Sequence, residues 1–143
     1  MESAARLRRA VFVDTSAWYA LADANDTEHR AAVRALRQLA AAGRPLCTTN
    51  HVAGETYTLM RSRLGAAAAH GFLESARDSR RVERVFVQEE WENEAEQLLA
   101  RYKDQDFSYV DATSFVAMRR LGIRETLAFD QHFVVAGFRL VGG

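Results

Sequence analysis

Short apolar segments that alternate with longer helical segments are the feature that most constrains the fold of this chain. Four segments are four to six residues long and rich in valine, threonine or phenylalanine, as buried strands are. They are residues 10–13, 46–49, 82–87 and 126–129. Residues 138–141 are a candidate fifth strand. Strands separated by helices pair in parallel, and helices then cover both faces of the sheet. The pattern therefore predicts an α/β fold with a central, mainly parallel sheet.

Local signals predict where several helices begin and end. Thr27 and Asn50 are residue types that favour the amino-terminal cap of a helix, and each precedes a segment of helical periodicity. Ser108 is predicted to begin a later helix. Gly65 and Gly122 are predicted to end the helices that precede them, because glycine readily leaves the helical conformation.

Bulk composition indicates one soluble domain over residues 1–143, with residues 1–9 as a short amino-terminal extension. Cys47 is the only cysteine, which excludes an intramolecular disulfide and a thiolate metal cluster. No apolar run approaches the roughly 20 residues that span a bilayer. We therefore expect a cytoplasmic protein without a membrane segment. The formal net charge is zero, so composition by itself does not favour nucleic-acid binding.

Three of four candidate acidic residues lie where a predicted strand ends or the next helix begins. Asp14 follows the first strand, Glu55 lies in the second turn of the helix after the second strand, and Asp130 follows the fourth. Asp111 lies in the first turn of its helix and joins them if that helix points its amino end at the same crevice. Since the carboxyl ends of parallel strands meet at one edge of a sheet, we expect these four side chains to share one crevice.

Carboxylates crowded into a crevice repel one another and destabilise the fold unless a cation lies among them. Oxygen ligands favour Mg²⁺ or Mn²⁺, and such an ion can activate water and neutralise charge on a phosphate. The four acids therefore predict phosphodiester hydrolysis with water as the nucleophile.

Each acid also has a purely structural explanation. Asp14 and Asp130 are placed to cap the helical turns that follow them, and Ser108 with Asp111 matches the capping-box pattern. Glu55 is equally consistent with a solvated helix residue. These explanations do not exclude a functional role, because helix starts are where this fold would also place metal ligands.

Four segments together resemble the sequence motifs of PIN domains. They are Val-Phe-Val-Asp-Thr-Ser at 11–16, Thr-Asn-His-Val-Ala-Gly-Glu at 49–55, Asp-Phe-Ser-Tyr-Val-Asp-Ala at 106–112, and Leu-Ala-Phe-Asp-Gln-His-Phe at 127–133. The resemblance covers essentially the whole chain in the order that the family shows. It is closest to the VapC-type toxins of toxin–antitoxin pairs.

The resemblance implies a three-layer α/β/α sandwich and a ribonuclease that depends on Mg²⁺ or Mn²⁺. It further implies a homodimer and a cognate VapB-like antitoxin that inhibits the enzyme at its site. By residue, it implies that Asp14, Asp111 and Asp130 are metal ligands and that Glu55 binds metal directly or through water. Ser16 matches the small hydroxyl residue that orients the first aspartate or a bound water.

Other polar residues receive weaker interpretations. His51 precedes Glu55 by one helical turn but has no second histidine at a matching spacing, and His132 is interpreted as an ordinary surface residue. Asp106 is best explained by loop solvation, with membership of the site as the alternative. The arginine runs near residues 77–84 and 119–124 are interpreted as solvated faces, or as contacts to RNA phosphates or to an acidic antitoxin.

Two rival functions are less well supported by the sequence. A phosphatase of the haloacid-dehalogenase type would have a second aspartate two residues after Asp14, where this chain has Ser16. A PIN-like scaffold that binds protein or RNA without cutting is the main alternative. Because such degenerate scaffolds are expected to lack one or more of the acids, the presence of all four favours an enzyme.

Overall fold

A five-stranded sheet forms the centre of the computed structural model, which describes residues 2–142. The strands are β1 (Val11–Val13), β2 (Leu46–Thr49), β3 (Val82–Val85), β4 (Glu125–Leu127) and β5 (Arg139–Val141). Their order across the sheet is β3-β2-β1-β4-β5, and every neighbouring pair is parallel. The predicted parallel α/β architecture is confirmed, and the candidate fifth strand is present.

Eight helices surround the sheet in the part of the chain that the structure describes. They are α1 (Glu2–Arg8), α2 (Thr15–Ala22), α3 (His29–Ala41), α4 (Asn50–Leu64), α5 (Ala66–Asp78), α6 (Glu89–Arg101), α7 (Tyr109–Leu121) and α8 (His132–Val135). None of them is long and apolar enough to cross a membrane.

Alternating residues of the central strand β1 pack into two separate cores. Phe12 is fully buried among residues of α7 and α8, including Phe115 and Phe133. Val11 and Val13 pack on the opposite side against residues that include Leu39 of α3. Since side chains alternate between the faces of a strand, these two clusters are the helix layers on either side of the sheet. The result is the α/β/α sandwich that the family resemblance implies.

Two predicted helix caps are wrong. The helix after Thr27 begins at His29, with no side-chain hydrogen bond at its cap, because the Asp26 carboxylate binds the Glu28 N–H and prolongs the preceding turn. Asn50 is the first residue of α4, and the cap is Thr49, whose hydroxyl accepts from the Val52 N–H. The caps at Ser108, Gly65 and Gly122 are as predicted.

The amino-terminal extension is helical. Helix α1 packs against α7, and its Leu7 joins the core that contains Phe12. The aliphatic part of Arg8 crosses directly over Gly122, where an added Cβ would lie 3.1 Å from the Arg8 Cγ. Gly122 also has φ +73°, a backbone conformation that favours glycine. The end of α7 and the helical extension are therefore packed as one unit.

Candidate active site

Three of the four predicted acids lie at the carboxyl edge of the sheet. Asp14 directly follows β1, Asp130 follows β4 by three residues, and Asp111 lies in the first turn of α7. The Asp14 N–H donates to the Leu127 carbonyl at 3.1 Å, which ties the ends of β1 and β4 together. The central strands thus place Asp14 and Asp130 on neighbouring segments.

Asp14 is held by Ser16 and is almost completely buried. The Asp14 carboxylate caps α2 by accepting from the Ser16 N–H at 3.4 Å and from the Ser16 hydroxyl at 3.0 Å. The Ser16 hydroxyl also accepts from the Phe129 N–H at 3.1 Å. One serine therefore joins the first acid to the backbone just before Asp130, in accord with the orienting role that the resemblance implies.

Burial raises the pKa of Asp14 from 3.8 to about 6, because the charged carboxylate loses its hydration. The Ser16 hydrogen bonds lower that pKa, and the negative charge of Asp111 raises it. Without a cation, the protein would therefore be more stable if Asp14 were protonated.

Asp111 is also buried and forms the predicted capping box. The Asp111 Oδ2 atom accepts from the Ser108 N–H at 2.9 Å, and the Asp111 N–H donates to the Ser108 hydroxyl at 2.9 Å. The same Oδ2 atom lies 2.9 Å from Nδ1 of His132. The structural explanation for Asp111 is therefore correct, and the carboxylate still faces the site.

His132 is a site residue that the sequence analysis missed. Its Nδ1 atom lies 2.9 Å from Asp111 and 3.3 Å from Oδ1 of Asp130. Burial lowers the pKa of His132, but the hydrogen bond to Asp111 and the charges of Asp130, Asp111 and Asp106 outweigh burial and leave the pKa raised. The imidazole is therefore held between two carboxylates, where its protonated form balances their charge.

The turn that carries His132 explains this placement. The Asp130 carboxylate accepts from the His132 N–H at 2.9 Å, so the predicted capping role of Asp130 is also present. The next residue, Phe133, is fully buried against Phe12 and Phe115. Packing of Phe133 fixes the turn, and the turn places the His132 imidazole next to the Asp130 carboxylate. The signal in the sequence was a histidine two residues after a strand-end aspartate and next to a core phenylalanine.

Asp111, Asp130 and His132 lie close enough together to hold a metal ion. Each offers one ligand atom, and these atoms all lie within 4.8 Å of one another. Carboxylate oxygens suit hard divalent cations such as Mg²⁺ and Mn²⁺. A divalent ion there would replace the proton of His132 as the counter-charge of Asp111 and Asp130. The donor set thus fits a divalent ion.

Glu55 is not brought into this cluster. Its side chain is exposed on α4, in a shallow groove that also contains Val110, the residue before Asp111. Among the hydrogen bonds and ion pairs of the described residues, none joins Glu55 to the other three acids. Its predicted role therefore requires either an intervening water or a movement of the side chain.

The remaining candidates have settled positions. His51 is paired with Glu92 of α6, with 3.0 Å between Nε2 and the carboxylate, rather than with Glu55. Asp106 is exposed, but it is close enough to His132 to contribute to the raised pKa of the imidazole. Asp106 therefore adds negative charge at the margin of the cluster.

Comparisons with known proteins agree with this geometry. The sequence model of the PIN domain family matches residues 11–139 of this chain. The 23S rRNA-specific endonuclease VapC20 of Mycobacterium tuberculosis, in strains CDC 1551 / Oshkosh and ATCC 25618 / H37Rv, is 43% identical over 129 residues, covering 90% of this chain and 95% of the relative. A crystal structure of M. tuberculosis VapC20, described as a sarcin–ricin-loop-cleaving toxin, superimposes with a TM-score of 0.82 at 42% identity, covering 90% and 96% of the two chains.

Proposed function

This chain belongs to the PIN-domain family, and from that premise we propose that it is a metal-dependent endoribonuclease and the toxin of a toxin–antitoxin pair. The observation that carries the proposal is the cluster of Asp111, Asp130 and His132 beside the buried Asp14. The carboxylates of this cluster place several negative charges close together, and a divalent ion would neutralise them. The second support is the similarity to an RNA endonuclease over 90% of the chain.

The residues would divide the work as follows. Asp111 and Asp130 would hold the ion, with Asp14 beside them and Ser16 keeping the Asp14 carboxylate in place. When bound, a divalent ion supplies a water of lowered pKa and neutralises charge that develops on the phosphate. Hydrolysis would place the oxygen of water on phosphorus and break the bond to one ribose oxygen, which would leave with a proton as a hydroxyl group. No side chain of the site needs to form a covalent intermediate.

Ribosomal RNA is the substrate class that we propose. The relative is named for 23S rRNA, and the related crystal structure is named for cleavage of the sarcin–ricin loop. The acidic cluster is itself repulsive to phosphate, so binding of RNA at this edge would depend on the cation. Acting on ribosomal RNA would place the protein in the cytoplasm.

A VapB-like antitoxin and a homodimer belong to the same proposal. The related crystal structure is named as that of a toxin, and a toxin of this kind requires a neutralising partner in the cell that makes it. Co-expression with the product of the neighbouring reading frame is expected to restore growth. Light scattering of the purified chain is expected to give twice the mass of 16.1 kDa.

Cleavage of purified 23S rRNA with Mn²⁺, Mg²⁺ or EDTA tests the central proposal. We expect cutting at one or a few positions with either ion and none with EDTA. Asp111→Asn keeps a side chain that can cap α7 but removes a charged ligand, and we expect cleavage to fall by about 100-fold or more. Metal-dependent cleavage that survives both Asp14→Asn and Asp111→Asn would overturn the mechanism. An intact fold with no cleavage of any RNA would favour the non-catalytic scaffold.

A further inference from the structure

The opposite edge of the sheet carries a row of arginines. An arginine lies at or just before the start of every strand, and the row in sheet order is Arg81, Arg44, Arg9, Arg124 and Arg139. We call these five residues the strand-start arginines. They are far apart in sequence, and only the parallel strand order makes them neighbours.

Backbone contacts show that the strand starts are in register. The Leu46 N–H donates to the Arg81 carbonyl at 2.8 Å, the Val11 N–H to the Pro45 carbonyl at 3.0 Å, and the Arg139 N–H to the Arg124 carbonyl at 3.0 Å. With strands about 4.8 Å apart, five strand starts span about 19 Å. The backbones of the strand-start arginines therefore lie in one row along this edge.

Most of this row is open to solvent. Arg9, Arg81, Arg124 and Arg139 are exposed, and Arg44 is half-buried. Two shallow depressions follow the edge, one lined by Arg9, Arg44 and Arg81 and the other by Arg44, Arg124 and Arg139. Arg44 lines both depressions and lies between them.

The local acids do not cancel this charge. Glu125 lies 2.7 Å from Arg44 and 3.8 Å from Arg139, and Glu83 lies 2.9 Å from Arg6 of α1. The ion pairs of the described residues include neither Arg9 nor Arg124. The Arg44 Nε donates to the Arg9 carbonyl at 2.8 Å, which holds the middle of the row in place. Several guanidinium donors therefore remain available to a ligand.

We propose that the strand-start arginines bind the phosphate backbone of a folded RNA substrate at a distance from the site of cleavage. This inference rests on the proposed ribonuclease function. The strands are only about 10 to 13 Å long. The helices that cover them extend up to about 22 Å, so an RNA that contacts both edges would follow the outside of one helix layer. Guanidinium groups bind phosphate through paired donors, and a linear row suits a linear backbone. The row supplies the attraction that the acidic edge lacks.

A double substitution, Arg9→Gln with Arg124→Gln, tests the proposal. The matched control is Arg30→Gln with Arg34→Gln, which removes two exposed arginines from α3. Binding of 23S rRNA is measured across a series of monovalent salt concentrations at constant Mg²⁺, with Asp111→Asn added to every protein so that cleavage is slow and the RNA stays folded. Each lost phosphate contact lowers the slope of log affinity against log salt by about 0.7 to 0.9. We expect a slope reduced by about 1.5 and binding weakened by about tenfold, with the control close to the unmodified protein.

Further measurements separate the possible failures. Cleavage of a short single-stranded oligonucleotide, which occupies only the acidic edge, is expected to be unchanged in the double variant. If melting temperature falls while the salt slope stays the same, the arginines only offset the negative carboxyl ends of the preceding helices, and the proposal is wrong. Loss of poly-glutamate binding without loss of RNA binding would assign the row to an acidic protein instead. Absence of all cleavage by the unmodified protein would refute the proposed function, while the salt slopes would still test the row.

Discussion

The carboxyl and amino edges of the sheet carry opposite charge. The acids of the carboxyl edge are largely buried, and the arginines of the amino edge are largely exposed to solvent. At the carboxyl edge, Asp14 and Asp111 are buried together and depend on His132 or a cation for balance. At the amino edge, arginines such as Arg9 and Arg124 are spread one to a strand and remain in water. A net charge of zero is therefore the sum of two strongly charged regions. Of these, only the acidic carboxyl edge lowers the free energy of unfolding when no cation is bound.

The largest expected effect comes from Asp14→Asn, which should move activity and stability in opposite directions. The pKa of Asp14 in the folded protein is about 6, above the unfolded value of 3.8, so the carboxyl stabilises the fold below pH 3.8 and loses that contribution as pH rises through 6. At pH 7.5 in EDTA, the neutral amide is expected to raise the free energy of unfolding by up to about 3 kcal/mol. Cleavage is expected to fall by about 100-fold or more.

Thermal unfolding of both proteins from pH 5 to 8 measures this effect. The unmodified protein should lose stability over this range, and the Asp14→Asn variant should lose less. Mn²⁺ should raise the melting temperature of the unmodified protein more than that of the variant. A variant that is less stable than the unmodified protein at pH 7.5 would show that the Ser16 hydrogen bonds, rather than burial of charge, dominate at Asp14.

His132→Ala tests whether the carboxyl edge depends on a counter-charge. Removing the imidazole leaves Asp111 and Asp130 facing each other, so we expect the free energy of unfolding in EDTA to fall by about 1 to 2 kcal/mol. Cleavage is expected to fall by about 10- to 100-fold, as for residues that position or supplement metal ligands. His70→Ala, at an exposed residue of α5, is the control. If Mn²⁺ does not restore more stability to His132→Ala than to His70→Ala, the imidazole is not acting as a substitute for the ion.

Sequence patterns predicted the strands and the acids that follow them, because both depend on local hydrophobicity and on strand ends. They did not identify His132, because a histidine two residues after Asp130 acquires its role only from a tight turn that Phe133 holds against a distant core. The caps predicted at Thr27 and Asn50 were wrong because side-chain oxygens there bind other backbone groups. The Asp26 carboxylate accepts from the Glu28 N–H, and the Asn50 amide oxygen accepts from the Val87 N–H. The row that includes Arg9 required the strand order, which sequence alone does not contain.

Glu55 is the residue on which sequence and geometry differ most, and Glu55→Gln measures its role. Because the side chain is exposed and outside the cluster, we expect less than about 0.5 kcal/mol change in stability. We expect cleavage to fall by about tenfold if Glu55 binds an ordered water of the site. Glu74→Gln on α5 is a matched exposed control. A loss as large as that of Asp111→Asn would make Glu55 a direct ligand, and no loss would remove it from the site.

The smallest effect on cleavage is expected from Arg44→Gln, which tests whether the two edges act independently. The substitution removes a half-buried ion pair to Glu125 and an exposed hydrogen bond to the Arg9 carbonyl. We therefore expect the free energy of unfolding to fall by about 1 kcal/mol. For a chain of this length, that corresponds to a melting temperature lower by about 3 °C. Because the acids lie at the other ends of the strands, cleavage of a short oligonucleotide below the melting range should stay within about twofold of the unmodified rate, as it should for Arg34→Gln. A tenfold loss on that short substrate would mean that the arginine edge positions the acids, and the two edges would then form one coupled site.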